Sequence, residues 1–112
     1  GSGARDYIHV VDLALAHIGA LNQSKLNNFE ILNIGGGKST TVLELIKSFE
    51  DTSGVTIKFK YLPRRDGDLA AFWANSSKSS EKMSWKPERN IKKICEDTWR
   101  WHKLNPTGYG IE

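Results

Sequence analysis

Segments with the apolar spacing of a strand and segments with the apolar spacing of a helix follow one another along this chain. This order restricts the fold more than any other feature of the sequence. Residues 55–61 alternate apolar with polar side chains, and this period of two is typical of a half-buried strand. Residues 42–53 instead repeat apolar side chains every three or four positions, which predicts a helix. Because both spacings occur within 112 residues and no segment repeats, the sequence predicts one small α/β domain spanning residues 1–112.

The remaining patterns add further short strands and bring the number of predicted helices to about four. Extended segments are predicted at residues 5–11, 29–34 and 55–61, and weak alternation in the second predicts burial on both faces. The predicted helices run from Leu13 to about Gln23, from about Val42 to Gly54, from residues 75–77 to about Met83, and from Asn90 to Pro106. Asp12 and Asn90 are the predicted N-caps, and Thr41 with Glu44 has the spacing of a capping box.

Composition and charge disfavour several classes of partner. The net charge is +3, but the 16 basic residues are spread among 13 acidic ones, which disfavours nucleic acid. An apolar run of transmembrane length and a signal peptide are both lacking, so we expect no membrane partner. The single cysteine, Cys95, indicates a reducing, cytoplasmic location and lies on the apolar stripe of the last helix, which predicts core packing. Since the chain starts with Gly1 rather than Met, we expect a piece of a longer protein.

Three consecutive glycines lie between a predicted strand and a predicted helix, as in phosphate-binding loops. A P-loop needs a glycine five positions before its last glycine, where this chain has Leu32. A dinucleotide fingerprint read from Gly35 needs glycine at its sixth position, where this chain has Thr40. Residues 35–37 therefore predict a tight turn rather than a cofactor site, although helix amides at Val42 could still contact an anion.

The histidines and tryptophans favour structural roles. His9, His17 and His102 have no ligand partner at metal-binding spacing, so the sequence predicts no metal site. Trp99 and Trp101 lie in the amphipathic last helix. Docking of that helix explains them better than stacking on a base or sugar.

The most distinctive chemistry lies in the charged loop, residues 62–68, which follows the predicted strand 55–61. Pro63 stops strand pairing, Gly67 permits a turn, and two arginines and two aspartates lie within five residues. Arginine presents a planar fork of donors suited to phosphate oxygens, and aspartate accepts hydrogen bonds from sugar hydroxyls. The charged loop is therefore either a nucleotide-sugar or phosphate site, or a solvated turn whose charges neutralise one another.

Another arginine, Arg5, opens an extended segment much as Arg65 follows one. Tyr7 lies two residues further along, on the same side of a strand. Two converging arginines could hold a diphosphate from two sides. The spacing of residues in the sequence does not show whether these two converge.

Five stretches of sequence together resemble a known family. They are Arg5-Asp6-Tyr7-Ile8-His9-Val10 followed by Asp12-Leu13-Ala14, Asn33-Ile34-Gly35, Pro63-Arg64-Arg65-Asp66-Gly67-Asp68, Asp97-Thr98-Trp99-Arg100-Trp101, and Pro106-Thr107-Gly108-Tyr109. The chain resembles the C-terminal, substrate-binding part of the UDP-glucose 4-epimerases (UDP-galactose 4-epimerases), which are extended short-chain dehydrogenase/reductase enzymes. The first stretch is shared with many nucleotide-sugar enzymes, whereas the charged loop and the Trp-rich tail are more specific.

The resemblance implies the C-terminal UDP-sugar-binding domain of an NAD-dependent isomerase of galactose metabolism, without its N-terminal Rossmann domain. The family's NAD-binding glycine fingerprint and its catalytic Tyr-x-x-x-Lys pair are not found here, since Tyr61 is followed four residues later by Arg65. The resemblance thus places no catalytic and no NAD-binding residue in this chain, and implies that the chain alone is inactive. The implied partners are a UDP-sugar, the missing Rossmann domain and a second copy of the whole enzyme in a homodimer.

Six positions match substrate-binding positions of the family. The resemblance implies that the diphosphate is bound by Arg5 and Arg65, that the nucleotide pocket is lined by Tyr7 and Val42, that the ribose hydroxyls donate to Asp68, and that the sugar lies near Phe72. Bacterial relatives often have tyrosine at this last position, so the resemblance leaves the sugar preference open.

Two alternatives to a 4-epimerase remain open at this point. One is another nucleotide-sugar enzyme, such as a dehydratase or decarboxylase. The other is a small binding module with no enzymatic parent, in which the charged loop is only a solvated turn. Calorimetry with UDP and unrelated nucleotides would separate nucleotide binding from a purely structural role.

Overall fold

The computed structural model describes residues 1–23 and 29–110, which form four helices and a two-stranded sheet. The strands are β1 (Ala4–Arg5) and β2 (Thr40–Thr41), and the helices are α1 (Val10–Leu21), α2 (Val42–Ser53), α3 (Ser77–Met83) and α4 (Ile91–Leu104). The prediction of a small α/β domain with about four helices is confirmed. None of these four helices is long and apolar enough to cross a lipid bilayer.

The small sheet joins three distant parts of the chain. Strands β1 and β2 pair antiparallel, with Ala4 opposite Thr41. On its other side Ala4 pairs in parallel with the segment around Ala71, since its amide donates to Ala70 O at 2.9 Å and its carbonyl accepts from Phe72 N at 3.1 Å. The N-terminal segment, the start of α2 and the chain that leaves the charged loop therefore meet at β1.

The capping residues predicted for α2 and α4 are confirmed. Thr41 Oγ1 accepts from Glu44 N at 3.1 Å while Glu44 Oε2 accepts from Thr41 N at 2.7 Å, which completes the capping box. At the other end of α2, Gly54 adopts φ +71°, a left-handed conformation that favours glycine. Asn90 Oδ1 accepts from Lys93 N at 3.0 Å and begins α4.

Helices α2 and α4 pack against each other through their apolar stripes. The rings of Phe49 and Trp99 meet edge to face with centroids 5.8 Å apart. Cys95 lies beside Ser48 and is only 1% exposed, so its predicted core position is confirmed. Trp99 docks α4 as predicted, whereas Trp101 is 43% exposed and has Tyr109 as its aromatic neighbour.

The predicted N-cap of α1 is wrong. The helix begins at Val10, and His9 caps it because His9 Nδ1 accepts from Val11 N at 3.0 Å. Asp12 is instead 1% exposed and binds Arg89 through both the backbone amide and the guanidinium. Burial acts to raise the pKa of Asp12, but these hydrogen bonds outweigh it and lower the pKa below its usual value. An aspartate near a helix start thus serves a long-range ion pair rather than the cap.

The strand predicted at residues 29–34 does not form a ladder with any described residue. Burial along it nevertheless alternates, because Leu32 and Ile34 pack against the core around Met83 while Phe29 and Ile31 are 81% and 68% exposed. Within this chain the prediction of burial on both faces is therefore wrong, since only one face is packed. Alternating burial is what an extended segment with one packed face shows, but a strand also needs a hydrogen-bonded neighbour.

One edge of this segment is occupied by side chains of α3 and its N-cap. The carbonyl oxygens of Ile31, Asn33 and Gly35 accept hydrogen bonds from Lys78 Nζ, Ser79 Oγ and Ser76 Oγ at 3.1, 2.6 and 3.2 Å. These carbonyls are two residues apart, as expected for one edge of an extended chain. The opposite edge carries the backbone groups of the alternate residues.

The strand predicted at residues 55–61 is likewise without a strand partner in the described ranges. Phe59 and Tyr61 lie 52% and 68% exposed, with ring centroids 5.6 Å apart. Only Ile57 of the apolar set is half-buried, and its amide donates to Glu50 Oε1 at 2.7 Å. An alternating pattern therefore produced no ladder here, since no strand edge among residues 1–23 and 29–110 lies beside it.

Candidate functional site

A cleft of about 630 Å³ lies beside the charged loop. Its walls come from three segments: the N-terminal residues up to Tyr7, the first turns of α2, and residues 59–65 with 68–70. These are the segments that the small sheet holds together around Ala4. The cleft therefore depends directly on the contacts of β1.

Five of the six predicted site residues line this cleft: Arg5, Tyr7, Val42, Arg65 and Asp68. The sixth, Phe72, is not part of its lining. It lies two residues beyond the cleft wall, is 58% exposed, and is held through its backbone amide, which donates to Ala4 O. The structure thus brings together the diphosphate, nucleotide and ribose positions, and the roles of all six residues stay predictions.

Arg5 is held in place by backbone carbonyls. Its Nη1 donates to Ala4 O at 2.8 Å and to Leu69 O at 2.9 Å, and its Nη2 lies 3.5 Å from Asp68 Oδ1. Two of its donors are therefore used to fix the guanidinium at the junction of β1 and the charged loop. Its Nη2 is left to face Asp68 at the wall of the cleft.

Arg65 and Asp68 lie at opposite ends of a tight turn within the charged loop. Gly67 adopts φ +82°, and Asp68 N donates to Arg65 O at 3.2 Å. Arg65 Nε lies 3.2 Å from Asp68 Oδ2, although the arginine side chain is 86% exposed. Hydrogen bonding from Arg65, opposed by burial and aided by the charge of Arg5, lowers the pKa of Asp68.

Positive charge predominates in the cleft lining. Four basic side chains, those of Arg5, Lys60, Arg64 and Arg65, face one acidic side chain, that of Asp68. The side chains of the lining therefore carry a net charge of +3, and opposite charge attracts a ligand into such a cleft. Apolar walls from Val42 and the first turns of α2 accompany this charge, as in sites that bind a molecule with both an anionic and a flat apolar part.

The glycine turn binds a carboxylate of the chain itself. Asp6 Oδ1 accepts from Gly36 N at 2.7 Å, and Asp6 Oδ2 accepts from Gly37 N at 3.1 Å and from Ala74 N at 3.0 Å. Sequence reasoning missed this role of Asp6, although an acid between two candidate site residues and a distant glycine run were both visible. Nothing in the spacing of the sequence shows that the two meet.

His9 is buried and structural. Because its Nδ1 accepts the Val11 amide, its Nε2 carries the proton that is donated to Asp97 Oδ2 at 3.1 Å. His17 contacts Leu13 O on its own helix, and His102 stacks on an aromatic ring of α4. Within residues 1–23 and 29–110, no group of three or more His, Cys, Asp or Glu side chains is placed to hold a metal ion.

Comparison with curated proteins places these motifs in a family. No protein-family model matches the chain. The UDP-glucose 4-epimerase of Erwinia amylovora is 46% identical over 109 residues, covering 96% of this chain and 32% of that protein. The human UDP-glucose 4-epimerase is 44% identical over 113 residues, covering 100% of this chain and 32% of that protein. The chain therefore spans about a third of the length of these relatives.

Solved structures show the same relationship. The UDP-glucose 4-epimerase of Bifidobacterium longum, in complex with NAD⁺ and UDP, superposes with a TM-score of 0.90 at 38% identity, over 96% of this chain and 32% of that one. The enzyme from Stenotrophomonas maltophila, with bound NAD and a formylated UDP-arabinopyranose, gives 0.86 at 42% identity, over 94% and 32%. The fold is thus that of part of a nucleotide-sugar epimerase of the short-chain dehydrogenase/reductase class. More narrowly, the chain belongs to the UDP-glucose 4-epimerase family and corresponds to its C-terminal part.

Proposed function

We propose that this chain forms the UDP-sugar-binding part of an NAD-dependent UDP-glucose 4-epimerase, an isomerase that interconverts UDP-glucose and UDP-galactose. The observation that supports this most directly is the convergence of Arg5 and Arg65 on Asp68 at the wall of the cleft. The relatives named UDP-glucose 4-epimerase support the reaction and the substrate. A role in galactose metabolism and a cytoplasmic location follow as predictions from the same proposal.

In this proposal the two arginines bind the diphosphate. Arg5 is fixed by two backbone carbonyls, so its remaining donors are preorganised for an oxygen ligand. Arg65 is 86% exposed and can turn its planar fork from Asp68 towards a phosphate. Asp68, freed from part of its pairing, accepts hydrogen bonds from the ribose hydroxyls. Tyr7 and Val42 contribute the apolar wall beside the nucleotide.

The NAD site lies outside this chain in our proposal. A dinucleotide cradle needs glycine amides that point at a pyrophosphate. In this structure the amides of Gly36 and Gly37 donate to Asp6 instead. The residues present thus do not fit the cofactor, and the segment that the longer relatives contain must supply the site.

In this proposal the cleft binds UDP firmly and the sugar only loosely, and the reaction explains why. Inversion at C4 passes through a 4-keto sugar that must present first one face and then the other to the redox centre. A firm hold on the diphosphate keeps that sugar bound, and it treats both epimers alike because they differ only at C4. Phe72 has no hydroxyl to donate to the sugar, which is consistent with a loose hold on that part of the substrate.

The missing Rossmann domain is the partner that the open edge of residues 29–34 fits. Side chains of α3 and its N-cap occupy one edge, while the backbone groups of Glu30, Leu32 and Ile34 make no backbone hydrogen bond within the described part of the chain. A sheet of the preceding domain would pair with this edge, and elements packed on that sheet would cover Phe29 and Ile31 on its face. Association of the whole enzyme into a homodimer stays a prediction.

Turnover of UDP-galactose tests the proposal. We expect the full-length protein with NAD to convert UDP-galactose to UDP-glucose, and this chain alone to give no conversion, because the catalytic Tyr-x-x-x-Lys pair is not in its sequence. Formation of a dehydrated or decarboxylated product by the full-length protein would favour another nucleotide-sugar enzyme. Absence of UDP binding in calorimetry would favour the non-enzymatic module, and conversion by the chain alone would contradict the assignment of catalysis to the missing part.

A further inference from the structure

The carboxylate of Asp6 is bound by three backbone amides from two other parts of the chain. Gly36 N and Gly37 N lie 2.7 and 3.1 Å from its two oxygens, and Ala74 N lies 3.0 Å away. An ionised aspartate has only acceptors, so all three bonds are charge-assisted and none competes with a donor of the side chain. Asp6 therefore joins its own segment to the glycine turn and to the segment around Ala74, and we call this arrangement the Asp6 junction.

The three segments that meet at Asp6 are those that form or flank the cleft. Asp6 lies between Arg5 and Tyr7, which line the first wall. The glycine turn leads into β2 and then to Val42 in the second wall. Ala74 follows the segment that leaves the charged loop, the third wall. No other carboxylate of the described residues joins these three segments through hydrogen bonds.

Backbone pairing alone does not hold the third segment along its whole length. Ala4 bonds to Ala70 O and Phe72 N, and the next amide two residues on, that of Ala74, donates to the Asp6 side chain instead of to a backbone carbonyl. The Asp6 carboxylate thus takes the place of the next backbone acceptor in the parallel pairing. At the same time it binds the amides of the glycine turn. Loss of the carboxylate would free both contacts together.

The glycines are needed for this close approach. A Cβ added at Gly36 would lie 2.8 Å from Asp6 Oδ1 and 3.1 Å from Tyr7 O, and one added at Gly35 would lie 2.5 Å from Asp6 Oδ2. Both distances to the carboxylate are too short for a carbon beside an oxygen. The turn is therefore shaped to receive Asp6.

We propose that Asp6 is a positioning residue for UDP-sugar binding, which sets the spacing between the wall that carries Arg5 and Tyr7 and the other two walls. It acts through its neighbours and does not touch the substrate. This inference rests on the proposed function of the cleft, because it explains how the unliganded chain keeps the cleft in the shape that binds UDP.

The test uses Asp6→Asn in the full-length protein. Asparagine has nearly the same volume, but it offers one acceptor oxygen and places an NH₂ group against the remaining amide donors. We expect the KM for UDP-galactose and the Kd for UDP to rise about tenfold or more, while kcat changes less than about twofold, because the reacting groups lie elsewhere. A variant with a changed kcat and an unchanged KM would overturn the inference.

A matched control separates positioning from general stability. Asp12→Asn also removes a carboxylate that accepts two backbone amides, those of Glu88 and Arg89, but Asp12 does not line the cleft. We expect this control to lower the melting temperature and leave the KM unchanged. Equal rises in KM for both variants would show that the effect is only destabilisation, and would refute the role of Asp6.

A second variant approaches the junction from the other side. Gly36→Ala should raise the KM as Asp6→Asn does, because its Cβ displaces the carboxylate; it decides the matter if Asp6→Asn does not fold. If the wild-type full-length protein does not bind UDP, the proposed function and this inference both fall. If the wild type binds UDP and both variants bind it equally well, only the inference about Asp6 falls.

Discussion

Arg65 Nε lies 3.2 Å from Asp68 Oδ2, and the same carboxylate lies 3.5 Å from Arg5 Nη2. One anion is therefore shared by two guanidinium groups that start 60 residues apart in the sequence. One carboxylate cannot neutralise both Arg5 and Arg65. The nearby Arg64 donates to the backbone oxygen of Asp68 rather than to its carboxylate. A cleft with this arrangement retains positive charge, as the proposed binding of a diphosphate requires.

The ionisation of Asp68 should depend on Arg65. The hydrogen bond from Arg65 is the largest cause that lowers the pKa of Asp68 in the folded chain. Because that pKa is lowered, the ionised pair contributes stability above the unfolded pKa of about 3.9 and loses it as pH falls through the folded value. We expect Arg65→Ala to raise the pKa of Asp68 in a ¹³C carboxyl titration of the ligand-free full-length protein, and Arg64→Ala to change it less. An unchanged pKa in Arg65→Ala would refute this coupling.

Arg65→Ala should weaken substrate binding much more than catalysis. A hydrogen bond to a charged group is worth about 1.5–3 kcal/mol, so losing the phosphate contact should raise the KM for UDP-glucose well over tenfold. Arg65→Lys should recover only part of this, because a lysine keeps the charge but loses the planar fork. Arg100→Ala removes another exposed arginine, on α4, and serves as the control with an unchanged KM. An unchanged KM in Arg65→Ala would mean that this side chain does not contact the diphosphate.

The buried pair of Asp12 and Arg89 should matter for stability. Removing one partner of a buried ion pair leaves the other uncompensated, and since Arg89 is 30% exposed we expect a loss of about 3 kcal/mol for Asp12→Ala. Lys93→Ala, which disrupts exposed pairs on α4, should cost less than about 1 kcal/mol. Thermal unfolding of the two full-length variants measures the difference, and equal effects would contradict it.

The same pair predicts a pH dependence. The pKa of Asp12 is lowered in the folded chain, so its contribution to stability is present above the unfolded pKa and is lost as pH falls through the lowered value. We therefore expect the melting temperatures of the wild type and Asp12→Ala to converge in acid below pH of about 4. A difference that stays constant as pH falls well below that value would show that Asp12 does not act as an ionised partner.

Features that depend on neighbouring residues could be predicted from the sequence. The capping box of Thr41 and Glu44 and the cap at Asn90 use side chains three residues apart at most, so their spacing already contains the interaction. The grouping of Arg65 with Asp68 in the candidate site could be predicted for a related reason, since both lie in one short loop. Their convergence with Arg5 did not follow from spacing and was implied only by the family resemblance, because the distance between the two arginines depends on pairing of β1 with a distant segment.

Features that depend on distant partners were missed. His9 caps α1, while Asp12, whose residue type favours capping, pairs with Arg89 across 77 positions. The role of Asp6 similarly depends on a glycine turn 30 residues away. In each case a polar side chain had two possible uses, and tertiary contacts determined which one was realised.

The extended segment at residues 29–34 should be a paired strand in the whole protein. Its carbonyls at Ile31 and Asn33 already bond to side chains of α3, so only the opposite edge is open to a neighbour. We expect the amides of Glu30, Leu32 and Ile34 to exchange hydrogen slowly in the full-length protein, because they lie on that opposite edge and a buried sheet protects them.

The charged loop provides the internal reference for this measurement. The amide of Gly67, an exposed residue of this loop, should exchange rapidly in the same ligand-free sample. Ile31→Asp should abolish the slow exchange and destabilise the full-length protein, because a side chain that is 68% exposed in this chain would be covered by the preceding domain. Rapid exchange at all three strand amides in the wild type would show that the open edge is not paired, and that the alternating burial of residues 29–34 arises from packing on α1 and α3 alone.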